Sequence, residues 1–97
     1  MGYYYSPFVS HCIKFFAKYP YADRFKTNAD KLNWGAVKSS LDSYTKNEAT
    51  ILLKLYNGND LESNVATISR HIGMNKKSLW KIVRGFEYKV ASNRGII

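Results

Sequence analysis

Cysteine is nearly absent from this chain. The single Cys12 excludes an intramolecular disulfide and fits a reducing compartment. Long apolar runs are missing as well: no stretch approaches the roughly 18 residues that a membrane helix needs, so no membrane partner is expected. The start, MGYYYSPF, lacks the charged-then-apolar order of a secretory signal, and a cytoplasmic location is expected. Met1-Gly2 with Ser6 gives a short match to the myristoylation pattern, of a kind that chance supplies often. Histidine is scarce. His11 and His71 have no companions at metal-ligand spacing, so neither a zinc site nor any other metal or cofactor is expected. No nucleophile–base–acid set, phosphate loop or carboxylate pair stands out, which argues against an enzyme.

Acids are also in short supply, with seven Asp and Glu against fifteen Lys and Arg and a formal net charge of +8. The imbalance is uneven. Over residues 70–97, Arg70, Lys76, Lys77, Lys81, Arg84, Lys89 and Arg94 face one acid, Glu87. A basic end on a foldable body points to a polyanionic partner. The body itself is foldable: 97 residues, 45% hydrophobic and 23% charged, suit one small domain and not disorder. Eight tyrosines can supply core volume in so short a chain.

The hydrophobic pattern predicts an all-α fold of about five helices. Ser6-Pro7 offers a capping hydroxyl followed by proline at the first helical position. Phe8, Cys12, Phe15, Phe16 and Tyr19 follow at helical spacing, and Pro20 stops that helix. Thr27 or Asn28 caps a second helix with Leu32, Ala36, Val37 and Leu41 on one face. Thr45-Lys46-Asn47-Glu48 is a capping box; it opens a third helix through Ile51, Leu52, Leu55 and Tyr56 that ends at Asn57-Gly58. A fourth helix is expected over about Val65 to Ile72 and a fifth over about Lys76 to Ala91. The expected organisation is one domain, with residues 1–43 as a helical N-terminal part packed on residues 44–97.

Val65 to Arg84 has the spacing of a helix-turn-helix. Ile68, Ile72, Met74, Leu79 and Ile82 are the apolar positions that two crossing helices must bring together, and Ser69 is small where they approach. Gly73 occupies the turn, where a left-handed backbone is needed, and Asn75 caps the second helix. At about 100° per residue, with Leu79 at zero, Phe86, Val90, Val83 and Ile82 fall within about 60° of it. Arg84, Lys77, Tyr88 and Lys81 fall at about 140° to 200°, a basic face with no acid in it. Such a helix suits a DNA major groove, its N-terminal residues toward base edges and its charges toward phosphates. Trp80 falls near about 100°, at the border of the two faces.

The run from Ser43 to Val83, SYTKNEATILLKLYNGNDLESNVATISRHIGMNKKSLWKIV, resembles region four of bacterial sigma factors. Tyr44-Thr45-Lys46-Asn47-Glu48 with Leu52 and Tyr56 matches that family's first helix, and Ile68 to Asn75 matches its supporting helix and turn. The chain is also similar to small sigma-like transcription regulators of phages and mobile elements of Gram-positive bacteria, through NWGAV at 33–37 and KVASNRGII at 89–97. Together these cover about Leu32 to Ile97. Tyr44 stands where the family carries leucine, and Asn75 replaces its serine cap. No counterpart of the promoter-melting sigma region is seen. The resemblance therefore implies an accessory activator, a split sigma partner or a repressor, and not a complete sigma factor.

In this register Asn75, Lys76, Lys77, Trp80, Lys81 and Arg84 face double-stranded DNA. Lys77 and Lys81 suit groove contacts, and Arg84 suits a phosphate. Ser63 and Asn64 begin the supporting helix, whose free N–H groups can hold a phosphate. Lys89 and Arg94 add nonspecific charge, while Trp34 belongs to the core. A single small motif touches few base pairs, so a homodimer or another partner is expected to complete the site. The alternative is a protein-binding module that docks on RNA polymerase as an accessory factor or a phage-encoded inhibitor. A weaker alternative is RNA binding.

Overall fold

The computed structural model describes residues 6–18, 25–57 and 60–96. Five α-helices follow in chain order, and the described residues contain no strand. Met1-Gly2, the tyrosines at 3–5, Tyr19, Pro20, Gly58 and Ile97 lie outside the described residues.

Helix α1 spans Ser6–Lys18. Its inner face is Val9, Cys12, Ile13 and Phe16, all buried, at the i, i+3, i+4, i+7 spacing of one helix side. Phe8, expected on that face, is instead 41% exposed. Its ring stands 5.7 Å from the guanidinium carbon of Arg94 and 6.5 Å from the His11 ring. Helix α2 spans Asn28–Leu41, capped by Thr27, whose Oγ1 accepts from the Asp30 N–H at 3.1 Å. Leu32 is 56% exposed, and the buried positions are Asn33, Ala36, Val37 and Ser40. The reason is proximity: small residues at the crossing let α2 lie close against the C-terminal helix, and the larger leucine is turned out.

Helix α3, Lys46–Leu55, starts with the expected capping box. Thr45 Oγ1 accepts from the Glu48 N–H at 3.1 Å, and Glu48 Oε1 accepts from the Thr45 N–H at 2.9 Å. Helix α4 spans Leu61–Ile72 and begins four residues before the expected start. Asp60 is its cap, so Ser63 and Asn64 lie inside its first turn. Gly73 ends α4 with φ 68°, in the left-handed conformation, and the Met74 N–H closes back on the Ser69 carbonyl at 2.9 Å. Ser69 is buried as expected, but Ile72 is exposed and does not enter the helix crossing.

Helix α5 spans Lys76–Arg94, capped at its start by Asn75 and ended by a second left-handed glycine, Gly95. It runs nearly a turn beyond the expected end at Ala91, because Gly95 and not Ala91 supplies the stop. Leu79, Val83, Phe86, Val90 and Ala91 are buried along it. Helices α1 and α2 both pack on α5, and α1 also packs on α3. The core therefore runs through α1, α2, α3 and α5, with Val65 of α4 joining it. Each fully buried Val, Leu, Ile or Phe side chain contributes about 1.5–3 kcal/mol from leaving water, so α1 is part of the main core and not an appendage.

Candidate nucleic-acid interface

The turn Gly73–Met74–Asn75 sets how α5 leaves α4. Asn75 Oδ1 accepts the Lys77 N–H at 2.7 Å, which satisfies one of the donors that any helix start leaves open. Leu79 and Val83 then anchor α5 in the core. With those two inward, Lys77, Lys81, Arg84 and Tyr88 are carried to the outside, and all four are exposed. Lys77 and Arg84 are seven residues apart, about 10 Å along the axis. Asn75 and Lys76 are also exposed, at the entrance to this stripe. Tyr88, 58% exposed, is the only described aromatic within it.

Trp80 is half-buried and packs on the core cluster. It stands at the border between the core and the cationic stripe, as its angular position predicts. Met74 and Ile82 pack against the same cluster from nearby positions. A ring there closes the edge of the core beneath the lysines.

The only acid of α5, Glu87, is missing from the exposed stripe because it is buried, at 5% exposure. Tyr56, at the end of α3, donates its hydroxyl hydrogen to Glu87 Oε2 at 2.5 Å. Burial raises the carboxyl above the ordinary carboxylate range; the Tyr56 hydrogen bond and the positive charge of Arg84 act the other way. The Tyr56 phenol is pushed far above its ordinary value, by burial and then by the charge and hydrogen bond of Glu87. Sequence reading missed this pair. The available signal was angular: Glu87 lies at about 80° from Leu79, beside Trp80 and outside the cationic arc.

Ser63 and Asn64 do not begin the supporting helix as expected, and their N–H groups are not free to hold a phosphate. The Ser63 N–H is held by Asp60 Oδ1 at 3.1 Å, and the Asn64 N–H by the Asp60 carbonyl at 3.0 Å. The Asn64 side-chain amide donates to the carbonyls of Leu55 and Asn57, both at 2.8 Å, and so caps the end of α3. With Asp60 and Glu62 at this helix start, the position a phosphate would take already holds negative charge. Asp60 won over Ser63 because both are good caps and the earlier one extends the helix by a turn.

Arg94 is also not a solvated charge. Its Nε donates to Asn33 Oδ1 at 2.6 Å, and its guanidinium covers the Phe8 ring. Lys89 places its ammonium 5.9 Å from the Tyr44 ring centroid. Burial pushes the Cys12 thiol up to about 11, which leaves it a core residue without thiolate chemistry near neutral pH. Trp34 is half-buried between the rings of Phe16 at 5.2 Å and Phe25 at 5.6 Å.

Among the described residues no group of three or more His, Cys, Asp or Glu could hold a metal ion. None of their helices is long and apolar enough to cross a membrane. No family model matches the chain, and neither a curated protein nor a solved structure matches it.

Proposed function

We propose that this protein is a sequence-specific, double-stranded DNA-binding transcription regulator, with the N-terminal half of α5 in the major groove. The observation that carries the reading is the exposed stripe Lys77, Lys81, Arg84 and Tyr88 on a helix whose one acid is buried. A merely solvated helix face usually mixes acids with its lysines. The capped start at Asn75 after the left-handed Gly73 supports the same reading, since it is the geometry by which a helix-turn-helix presents its second helix. The motif residues that resemble sigma region four favour a regulator of transcription over a general DNA-packing protein.

In this proposal Lys77 and Lys81 reach base edges or flanking phosphates, Arg84 binds phosphate, and Trp80 and Tyr88 give apolar surface to sugar or a thymine methyl. Ser63, Asn64 and Arg94 are given structural roles instead. The double variant Lys77→Ala, Lys81→Ala keeps the helical circular dichroism of the parent and weakens duplex binding. Its plot of log affinity against log salt flattens by about 1 to 2, as expected for one or two lost phosphate contacts. An unchanged titration in the folded double variant would overturn the proposal. Competition by structured RNA as effective as by duplex DNA would do the same, because the deep, narrow A-form major groove excludes a helix.

A further inference from the structure

The described residues hold a second cationic surface, with no residue of the α5 stripe among its described lining residues. An open groove of about 850 Å³ runs between α1 and α3. Lys14, Ala17 and Lys18 line it from α1; Thr50, Leu53, Lys54 and Asn57 line it from α3 and its end, with Tyr56 beneath. On each helix these positions follow the spacing of one face. The side of α1 that turns away from the groove carries the core residues Val9, Cys12, Ile13 and Phe16. The groove is thus an external channel between two packed helices, with lysines on its rims and Ala17 and Leu53 on its floor. No acid occurs among its described lining residues.

We propose that this groove binds an acidic amphipathic helix of a partner protein. A trough between two helices has the shape that takes a third helix laid along it, with apolar side chains down and charged ones at the edges. Carboxylates flanking an apolar ridge complement Lys14 and Lys54 on opposite rims and Leu53 between them. Duplex DNA fits less well, because a phosphate ridge has nothing apolar to set on the Ala17–Leu53 floor. A single strand needs exposed aromatic faces for its bases, and the one aromatic among the described lining residues, Tyr56, is buried with its hydroxyl turned inward to Glu87. No exposed residue of the α5 stripe lines the groove, so an occupant here and DNA on α5 need not compete.

The test is anisotropy of a labelled helical peptide of leucine, alanine and glutamate with its leucines on one face, against a control with lysine in place of glutamate. The full chain binds the acidic peptide and not the basic one. The exposed pair Lys14→Glu, Lys54→Glu weakens binding by about tenfold or more through lost rim charge, with helical content and duplex DNA affinity as in the parent. Leu53→Ala weakens it too, with the lysines intact. Full peptide affinity in either variant would overturn the proposal, as rim or floor would then be irrelevant. So would a fall in duplex affinity for the lysine variant as large as that of Lys77→Ala, Lys81→Ala, which would make the groove part of the nucleic-acid path. Self-association that sizing detects in the parent and loses in the lysine variant would put a second copy there instead, with the same consequence. DNA binding is tested by the Lys77→Ala, Lys81→Ala variant alone, so its failure and that of the groove are distinguishable.

Discussion

At the scale of single residues, Glu87 carries the most information. It lies on the helix that presents the cationic stripe, yet it faces Tyr56 inside the fold. Its carboxyl is raised above the ordinary range, chiefly by burial. The unfolded chain releases this proton at the usual carboxylate pH, and the folded chain releases it only at higher pH. Between those values the folded state holds more protons, so stability falls as pH rises and levels off above the raised value. Glu87→Gln keeps an acceptor for the Tyr56 hydroxyl and removes the charge. In urea unfolding the variant and the parent are expected to be close below about pH 4, with the variant gaining relative stability toward neutral pH. A gap that stays constant across that range would show that charging Glu87 is not the cause.

At the scale of elements, the stops and starts of helices were the most legible features of the sequence. The Thr45–Glu48 capping box, the Asn75 cap and the left-handed Gly73 all act through neighbours within a few residues, so local spacing identifies them. Gly73 allows a direct check. A Cβ built there meets nothing within 4 Å, so Gly73→Ala pays only for backbone held at φ 68°. The expected loss is about 1–2 kcal/mol in denaturant unfolding, with part recovered in Gly73→Asn, since asparagine tolerates this conformation. A loss many times larger would point to a packing role that the open space around it denies. The inward faces of α1 and α2 were less legible. Periodicity assigns large apolar side chains to the core, but Phe8 and Leu32 face outward while Asn33 and Ser40 are buried. Which arc turns inward depended on partners 53 and 61 residues away in sequence, and no local pattern reports that. In the candidate interface the lysines and Arg84 were readable from their angles. Asn64 was not, because its engagement with Leu55 and Asn57 joins two helices.

At the scale of the whole molecule, polar contacts tie the far end of α5 to the N-terminal helices. Asn93 Nδ2 donates to Ser40 Oγ at 2.9 Å, and Ser40 in turn donates to the Ala36 carbonyl at 2.7 Å. Arg94 spans Asn33 and the Phe8 ring. Arg94→Ala leaves the buried Asn33 oxygen without this donor and is expected to lower unfolding stability by about 1–3 kcal/mol. The salt slope of duplex binding should stay as in the parent; a flattened slope would return Arg94 to the phosphate contacts. These ties have a mechanical meaning. Helix α5 has 19 residues, a rod of about 28 Å, seated in the core from Leu79 to Ala91 and pegged at its far end. Leu79, Val83, Phe86 and Val90 set the roll of that rod, which decides which way Lys77 and Lys81 point, and the pegs at Asn93 and Arg94 hold the same roll from the other end. A substitution at Ser40 or Asn33 therefore loosens the grip on the far end of the rod while the seat beneath Lys77 and Lys81 stays whole.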